Sequence, residues 1–174
     1  MSLALDEWPP DHPRWPALAA LTTELGQEGW SAFTADWHLS SHMLVAHQDG
    51  KVAGFLRYVV QHIGVEDDLA PVVLHGELLT EAKVLAFGVA PDQRRRGIGR
   101  RLQQRLIADA RGHGCYQIRS HSSAANKANH HLKLALGFAI QPLPATGRRD
   151  GAYFLLPLRT AAKSDENQPP EETS

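Results

Sequence analysis

Several features that define special classes of protein are missing from this 174-residue chain. It contains one cysteine, Cys115, so an internal disulfide is excluded and a reducing compartment, the cytoplasm, is expected. No apolar run reaches the roughly 18 residues that a membrane-spanning helix requires, so no membrane association is expected. Asp6 and Glu7 interrupt the only apolar stretch near the N-terminus, so we expect no secretory signal there.

A strong net charge is also missing. The chain carries 18 basic and 19 acidic residues, and a net charge of -1 does not indicate a partner such as nucleic acid. The charges are nevertheless unevenly spread. One cluster is basic and consists of Arg94, Arg95, Arg96, Arg100, Arg101 and Arg105. An acidic group precedes it and consists of Glu66, Asp67, Asp68, Glu77 and Glu81. The sequence therefore predicts a positive site beside a negative one, and the negative one would attract a cationic amine.

Hydrophobic spacing predicts a single domain over residues 14–158. Residues 1–13 are rich in proline and are expected to form an irregular lead-in with a short strand at Leu3–Leu5, and residues 159–174 are expected to be a disordered tail. Helices are predicted at Pro16–Gly26, after a cap at Ser31, at Gly99–Arg111 and at Asn126–Leu136. Strands are predicted at His42–His47, Lys51–His62, Glu81–Ala90, Tyr116–Ser122, Phe138–Pro142 and Ala152–Leu158. A further strand is predicted within Pro71–Leu79, with a turn at His75-Gly76.

The order of these elements predicts the topology. A strand, a helix and a second strand in the middle of the chain imply a parallel pair formed by Glu81–Ala90 and Tyr116–Ser122. The other strands follow one another closely and are expected to be antiparallel. The predicted fold class is therefore α/β, a mixed and mostly antiparallel sheet with one central parallel pair, flanked by about four helices. The apolar strand Tyr153–Leu158 is suited to pairing across a homodimer.

The turn between the central strand and the long helix carries most of the functional signal. Its sequence, RRRGIG over residues 94–99, places two glycines where the backbone turns into the helix. Unpaired amides at a helix N-terminus bind anions, and arginines add charge-assisted bonds to phosphate oxygens. The spacing is neither that of a Walker loop nor that of the dinucleotide fingerprint. We therefore expect a different diphosphate site.

This segment, with VLAFGVAPDQRRRGIG over residues 84–99, resembles the acetyl-CoA signature of the GNAT N-acetyltransferases. A second segment, Asn126 followed by a helix that ends at Gly137-Phe138, resembles a later motif of the same family. The resemblance covers roughly residues 14–158. It implies the GNAT fold, an acyltransferase, and direct transfer of an acetyl group from acetyl-CoA to a primary amine of a small molecule or a peptide.

The resemblance also implies which residues hold the coenzyme. Backbone groups of Phe87, Gly88 and Val89 would pair with the pantetheine arm like an added strand, and Asn126 would bond to the same arm. The pyrophosphate would lie against Arg94, Arg95, Arg96, Gly97, Ile98, Gly99 and Arg100.

Two catalytic candidates follow from the same resemblance. Many family members carry a tyrosine on the last helix that protonates the departing thiolate, and the equivalent position here is Lys133, which would act electrostatically or simply contact solvent. Glu81 is the candidate base or anchor for the acceptor amine, and a structural pairing with Lys83 or Arg119 is the alternative. Other candidate proton donors are Tyr116, Tyr153, His121 and His130.

Alternative functions and sites remain open at this stage. The missing tyrosine suggests a non-catalytic acyl-CoA sensor of the same fold. A nucleic-acid binder is less well supported because no aromatic residues alternate with the arginines. The ten histidines show no metal-ligand spacing, so no metal is expected. Cys115 is interpreted as a small buried apolar residue.

Overall fold

The computed structural model describes residues 2–144 and 150–159. The predicted tail beyond Arg159 and the middle of the loop 142–151 lie outside these described residues. The described strands are β1 (Ala4–Glu7), β2 (Ser40–Gln48), β3 (Lys51–His62), β4 (Val73–Leu74), β5 (Glu77–Leu78), β6 (Thr80–Val89), β7 (Gln117–Ser122), β8 (Ala139–Pro142) and β9 (Ala152–Pro157). The described helices are α1 (Trp15–Glu24), α2 (Glu28–Ala32), α3 (Ile98–Gly112) and α4 (Lys127–Ala135).

Seven of these strands form one sheet in the order β1-β2-β3-β6-β7-β9-β8, and β4 and β5 form a separate hairpin. All neighbours in the large sheet are antiparallel except β6 and β7. The predicted fold class is thus confirmed: a mixed sheet, one parallel pair and four helices among the described residues. The hairpin turns follow local sequence, because Asp49-Gly50 and His75-Gly76 adopt the positive φ angles that tight turns require.

Alternation along the strands creates two cores. Leu44 and Leu56 point to the face that α3 covers through Leu102 and Leu106. Their chain neighbours, among them Val45 and Phe55, point to the opposite face, where α1 contributes Leu18 and Leu21. Cys115 is 1% exposed and joins the first core. Successive side chains of a strand point to opposite faces of the sheet, and both faces are covered here, so the central strands are apolar on both faces.

Three expectations about individual elements need correction. Ser31 does not cap the second helix, which begins at Glu28, and the Ser31 hydroxyl donates to the Glu28 carbonyl inside the helix. The first strand extends to Glu7 and pairs with β2, so four residues of the lead-in belong to the sheet. The strand Ala152–Pro157 lies between β7 and β8, which leaves it no free edge for pairing across a homodimer. No helix in the described part of the chain is long and apolar enough to cross a membrane.

Candidate active site

The central parallel strands pair over only part of their length. Their register runs from Glu81↔Gln117 to Val84↔Ser120 and stops there, although β6 continues to Val89. The cause is a bulge on the opposite side, where Arg57 pairs with Ala86 and Tyr58 with Val84, so that Leu85 has no partner on β3. A bulge bends its strand. Consequently β6 and β7 diverge beyond Ser120, and Phe87, Gly88 and Val89 have no partner strand on the β7 side. The Val89 carbonyl accepts from Arg94 Nε at 3.3 Å.

A cluster of free amides lies at the end of the same strand. Between Arg95 and Arg100, no backbone N–H donates to another described residue, and the first bond of the helix runs from Arg101 to the Gly97 carbonyl at 3.1 Å. Arg95 and Gly97 both have positive φ angles, 65° and 77°. Residues with positive φ thus alternate with residues of ordinary φ, an arrangement that directs neighbouring amides towards one anion. This anion site would lie at the positive end of the dipole of a 15-residue helix.

The glycines and arginines of this turn have separate roles. A Cβ on Gly99 would lie 3.2 Å from the Phe87 ring, so the glycine allows α3 to approach β6 closely. Four arginine side chains near the turn are exposed, namely Arg94, Arg95, Arg96 and Arg100. Ile98 is buried and fixes the helix on the core. The structure therefore places the predicted turn residues together around the free amides.

A cavity of about 660 Å³ occupies the divergence of β6 and β7. Strand residues Val84–Phe87 and Ser120–Ser122 form its walls, and Asn126 and Asn129 of the α4 region close one side. Asn126 is exposed, and its side-chain oxygen accepts from the Asn129 amide at 3.2 Å. The amide nitrogen of Asn126 is thus left to face solvent or a ligand.

Aromatic side chains line the opposite side of the cavity. Trp30, Phe33 and Trp37 are 39–45% exposed, although they are large and apolar. Arg57, which is 5% exposed, holds this wall in place because its Nη1 donates to the carbonyls of Trp30 at 3.1 Å and Ser31 at 2.6 Å. Burial lowers the pKa of Arg57. No local sequence pattern predicts this role of Arg57, since its partners lie 26 and 27 residues away.

A network of charged side chains forms the floor. Glu81 is 0% exposed and is not among the residues that line the cavity. Its carboxylate accepts from Arg119 at 2.8 Å, Gln61 at 3.0 Å and Gln117 at 2.9 Å. The sequence left open a structural pairing of Glu81 with Lys83 or with Arg119, and the structure contains the pairing with Arg119. Glu81 therefore contacts the site only through its partners.

Unlike Glu81, the acidic residues Asp150 and Glu66 line the cavity. The Glu66 carboxylate accepts from Lys83 at 2.6 Å and from Arg119 at 2.9 Å. Burial raises the pKa of Glu66, but Lys83 and Arg119 outweigh that effect and hold the pKa below its ordinary value. Since Asp67 also pairs with Arg119 and Glu77 pairs with Arg159, most of the acidic group is neutralised by cations.

Lys133 lies behind the β7 wall of the cavity. It is 1% exposed, its Nζ donates a hydrogen bond to Ser120 Oγ, and the Phe154 ring lies 5.2 Å from Nζ. Within residues 2–144 and 150–159, no carboxylate pairs with it. Desolvation lowers the pKa of Lys133 from 10.5 to about 7. A lysine of ordinary position on a helix surface would show none of these features.

The other candidate proton donors are less well placed. The His121 ring nitrogen contacts the Asp150 carbonyl at 2.8 Å and lines the cavity, whereas His130 contacts the Ser123 carbonyl at 3.0 Å. Tyr153 stacks against Lys83 and Arg119, with both cations 5.0 Å from its ring. Tyr116 does not line the cavity. In the described part of the chain, no three His, Cys, Asp or Glu side chains are grouped to hold a metal ion.

Comparison with known proteins agrees with this geometry. The sequence model of the acetyltransferase (GNAT) family matches residues 3–138. The chain belongs to the GNAT family. No curated protein sequence matches this GNAT protein significantly.

Solved structures show the same fold. The ribosomal-protein-S18-alanine N-acetyltransferase of Escherichia coli is 21% identical with a TM-score of 0.63, over 94% of this chain and 98% of that one. NAA60 of Arabidopsis thaliana, in complex with acetyl-CoA, is 16% identical with a TM-score of 0.70, over 90% and 99%. The protein yncA of Salmonella typhimurium, with its cofactor acetyl-CoA, is 20% identical with a TM-score of 0.61, over 96% and 100%.

Proposed function

We propose that this GNAT protein transfers the acetyl group of acetyl-CoA directly to a primary amine of a small molecule or a peptide. The observation that carries the proposal is a continuous path: the free amides at Arg95–Arg100 follow the end of β6 that β7 leaves unpaired, and the preceding β6 residues Val84–Phe87 line the cavity. A coenzyme with a diphosphate and an amide-containing arm needs both features. Two of the similar solved structures were determined with acetyl-CoA.

Each predicted residue then has a role in binding. The amides of residues 95–100 hold the pyrophosphate, and the exposed arginines Arg94, Arg95, Arg96 and Arg100 add charge. Phe87, Gly88 and Val89 offer their backbone edge to the pantetheine arm. Asn126 offers its amide nitrogen to the same arm. The arm thus runs along β6 from Val89 towards the apex of the divergence at Val84 and Ser120.

The acceptor amine enters from the aromatic side. Trp30, Phe33 and Trp37 provide apolar and cation-binding surface at the mouth of the cavity, and Glu66 provides a carboxylate in its lining. Because Glu66 keeps a low pKa, it anchors a cationic group better than it accepts a proton. Glu81 acts as a positioning residue, since its carboxylate fixes Arg119 and Gln61 beneath the cavity.

Calorimetry with acetyl-CoA and a thiol-release assay with a panel of primary amines test this function. We expect binding of acetyl-CoA, and thiol release that depends on the amine. Arg100→Ala is expected to weaken acetyl-CoA binding about tenfold, because a charge-assisted bond to phosphate is lost. Arg111→Ala is the matched control, since Arg111 is an exposed arginine on the last turn of the same helix.

The outcomes separate the functions that the sequence left open. Binding without thiol release across the panel would support the acyl-CoA sensor instead of the enzyme. No binding of acetyl-CoA would refute both. Equal effects of Arg100→Ala and Arg111→Ala would contradict a phosphate site at the N-terminus of α3, because only Arg100 lies at that end of the helix.

A further inference from the structure

We propose that Ser120 and Lys133 form a proton-delivering pair, in which Ser120 protonates the departing coenzyme A thiolate and Lys133 supplies the proton to Ser120. The proposal rests on the proposed acetyl transfer and adds a catalytic residue to it. In many GNAT proteins a tyrosine performs this protonation directly, and this chain has Lys133 at that position. The structure indicates that replacing the tyrosine required a second residue.

Only one residue of the pair lines the cavity. Both residues are 1% exposed, but Ser120 lines the cavity and Lys133 does not. The Nζ atom of Lys133 donates to Ser120 Oγ. The proton of Lys133 therefore reaches the cavity through Ser120, and a direct contact between Nζ and a bound substrate would require Ser120 to move.

The Ser120 hydroxyl still has its own proton to donate. Ser120 Oγ accepts from Lys133, so its own O–H remains free to donate towards the cavity. Ser120 is also the last residue of β7 that pairs with β6, at Val84. An acyl-CoA arm that starts at the amides of residues 95–100 and follows β6 from Val89 ends at this apex. The hydroxyl thus lies where the sulfur of the thioester is expected.

The reaction balances with these groups alone. The acceptor nitrogen bonds to the carbonyl carbon, the carbon–sulfur bond breaks, and sulfur keeps the electron pair. The Ser120 O–H proton passes to sulfur while a Lys133 ammonium proton passes to Ser120 Oγ. The nitrogen of the new amide loses one proton to water, and neutral Lys133 recovers one from solvent. The products are the acetylated amine and the free thiol of coenzyme A.

The surroundings of Lys133 fit this role. Desolvation lowers its pKa to about 7, which lets it both hold and release a proton near neutral pH. The titratable groups on the packed elements are Lys127, His130 and His131 on α4, Arg119 and His121 on β7, and Tyr153 on β9. His130 packs against the Phe154 ring at 5.1 Å and His121 contacts the Asp150 carbonyl. Lys133 Nζ donates only to Ser120 among the described residues.

The pH dependence of kcat tests the pair. In the native protein we expect kcat to fall as the pH rises through about 7, when Lys133 loses its proton. Ser120→Ala should lower kcat roughly 100-fold at pH 7, remove this alkaline decline, and change the KM for acetyl-CoA by less than about twofold. Ser120→Thr keeps a hydroxyl and should restore most of the activity and the decline.

Ser122→Ala is the matched control. Ser122 lies on the same strand and lines the same cavity, but its hydroxyl accepts from Asn129 at 3.1 Å and makes no contact with Lys133. We expect Ser122→Ala to retain the alkaline decline of kcat. Thermal unfolding of each variant shows whether a loss of activity reflects a loss of folding.

A titration of ¹³C-labelled lysines gives a readout that does not need activity. The chain has five lysines, and Lys133→Met identifies the signal of Lys133. We expect that signal to titrate near pH 7 and to move to lower pH in Ser120→Ala, because the one acceptor of its ammonium among the described residues is removed. Titration near pH 10, or an unchanged kcat profile in Ser120→Ala, would overturn the pair but leave the acetyltransferase function intact. A native chain that neither binds acetyl-CoA nor releases thiol would overturn the proposed function, and the pair with it.

Discussion

Replacement of Glu81 by glutamine separates a structural role of this carboxylate from a catalytic one. Glu81 is 0% exposed and accepts from Gln61, Gln117 and Arg119 at 2.8–3.2 Å. Glutamine has nearly the same shape but no charge, and its amide nitrogen would point N–H donors at partners that are donors themselves. The substitution therefore leaves the Arg119 guanidinium, which is 11% exposed, without its most buried counter-charge.

The expected loss of stability depends on the carboxylates that Arg119 still pairs with. Removing one partner of a buried ion pair costs about 3–5 kcal/mol. Arg119 keeps Glu66 at 2.9 Å and Asp67 at 3.5 Å, so we expect Glu81→Gln to lower the free energy of unfolding by the smaller figure, about 3 kcal/mol. For a domain of this size, that corresponds to a fall in Tm of roughly 6–12 °C.

Urea denaturation measures this loss, and the kcat profile against pH measures any catalytic role. Glu77→Gln is the control, because Glu77 is 57% exposed and its pairing with Arg159 is a surface ion pair worth about 0–1 kcal/mol. We expect Glu81→Gln to destabilise the protein without altering the shape of the pH profile. A loss below about 1 kcal/mol would refute the network argument. If one limb of the kcat profile against pH disappears while the free energy of unfolding is unchanged, Glu81 acts as the general base.

Three further predictions concern other residues. The folded-state pKa of Lys133, about 7, lies below its unfolded value of 10.5, so the unfolded chain binds an extra proton between these pH values. Stability should therefore rise with pH in that range, by up to about 1.4 kcal/mol per pH unit, and Lys133→Met should flatten the rise in urea titrations at several pH values. Trp37→Ala should raise the KM for the amine several-fold without changing that for acetyl-CoA, because Trp37 lines only the acceptor side. Gln103→Leu should raise the free energy of unfolding by about 1 kcal/mol or more in urea, because Gln103 is 0% exposed and neither amide atom has a described partner.

Local signals in the sequence were sufficient for much of the fold. The Asp49-Gly50 dipeptide determines its own turn, and the arginine-glycine segment over residues 94–100 contains all the amides of the proposed anion site. The prediction of a parallel pair needed only the order of strand, helix and strand. The errors at Ser31 and β9 arose where tertiary contacts decide, since a cap depends on the helix start and an edge depends on the complete sheet.

The remaining features of the site depend on contacts between distant parts of the chain. The bulge at Leu85 arises from the register of β6 with β3, and no residue type announces it. Glu66 lies 17 and 53 residues from the cations that it neutralises. Counting back from Gly137-Phe138 located Lys133, but the sequence does not show that the helix turns this lysine inward against Phe154.

The charges around Lys133 differ from those around the other buried cations of the site. Lys83 and Arg119 are buried cations, and Glu66 and Glu81 compensate their charge. Lys133 has no such carboxylate among the described residues, so the folded protein stabilises its ammonium only through Ser120 and the Phe154 ring. A carboxylate at this place would hold the proton on the lysine and repel a departing thiolate. Because the described residues place no carboxylate there, the proton is held weakly. In the proposed reaction, a negative charge that develops on sulfur beside Ser120 would meet a positive charge that is not already neutralised.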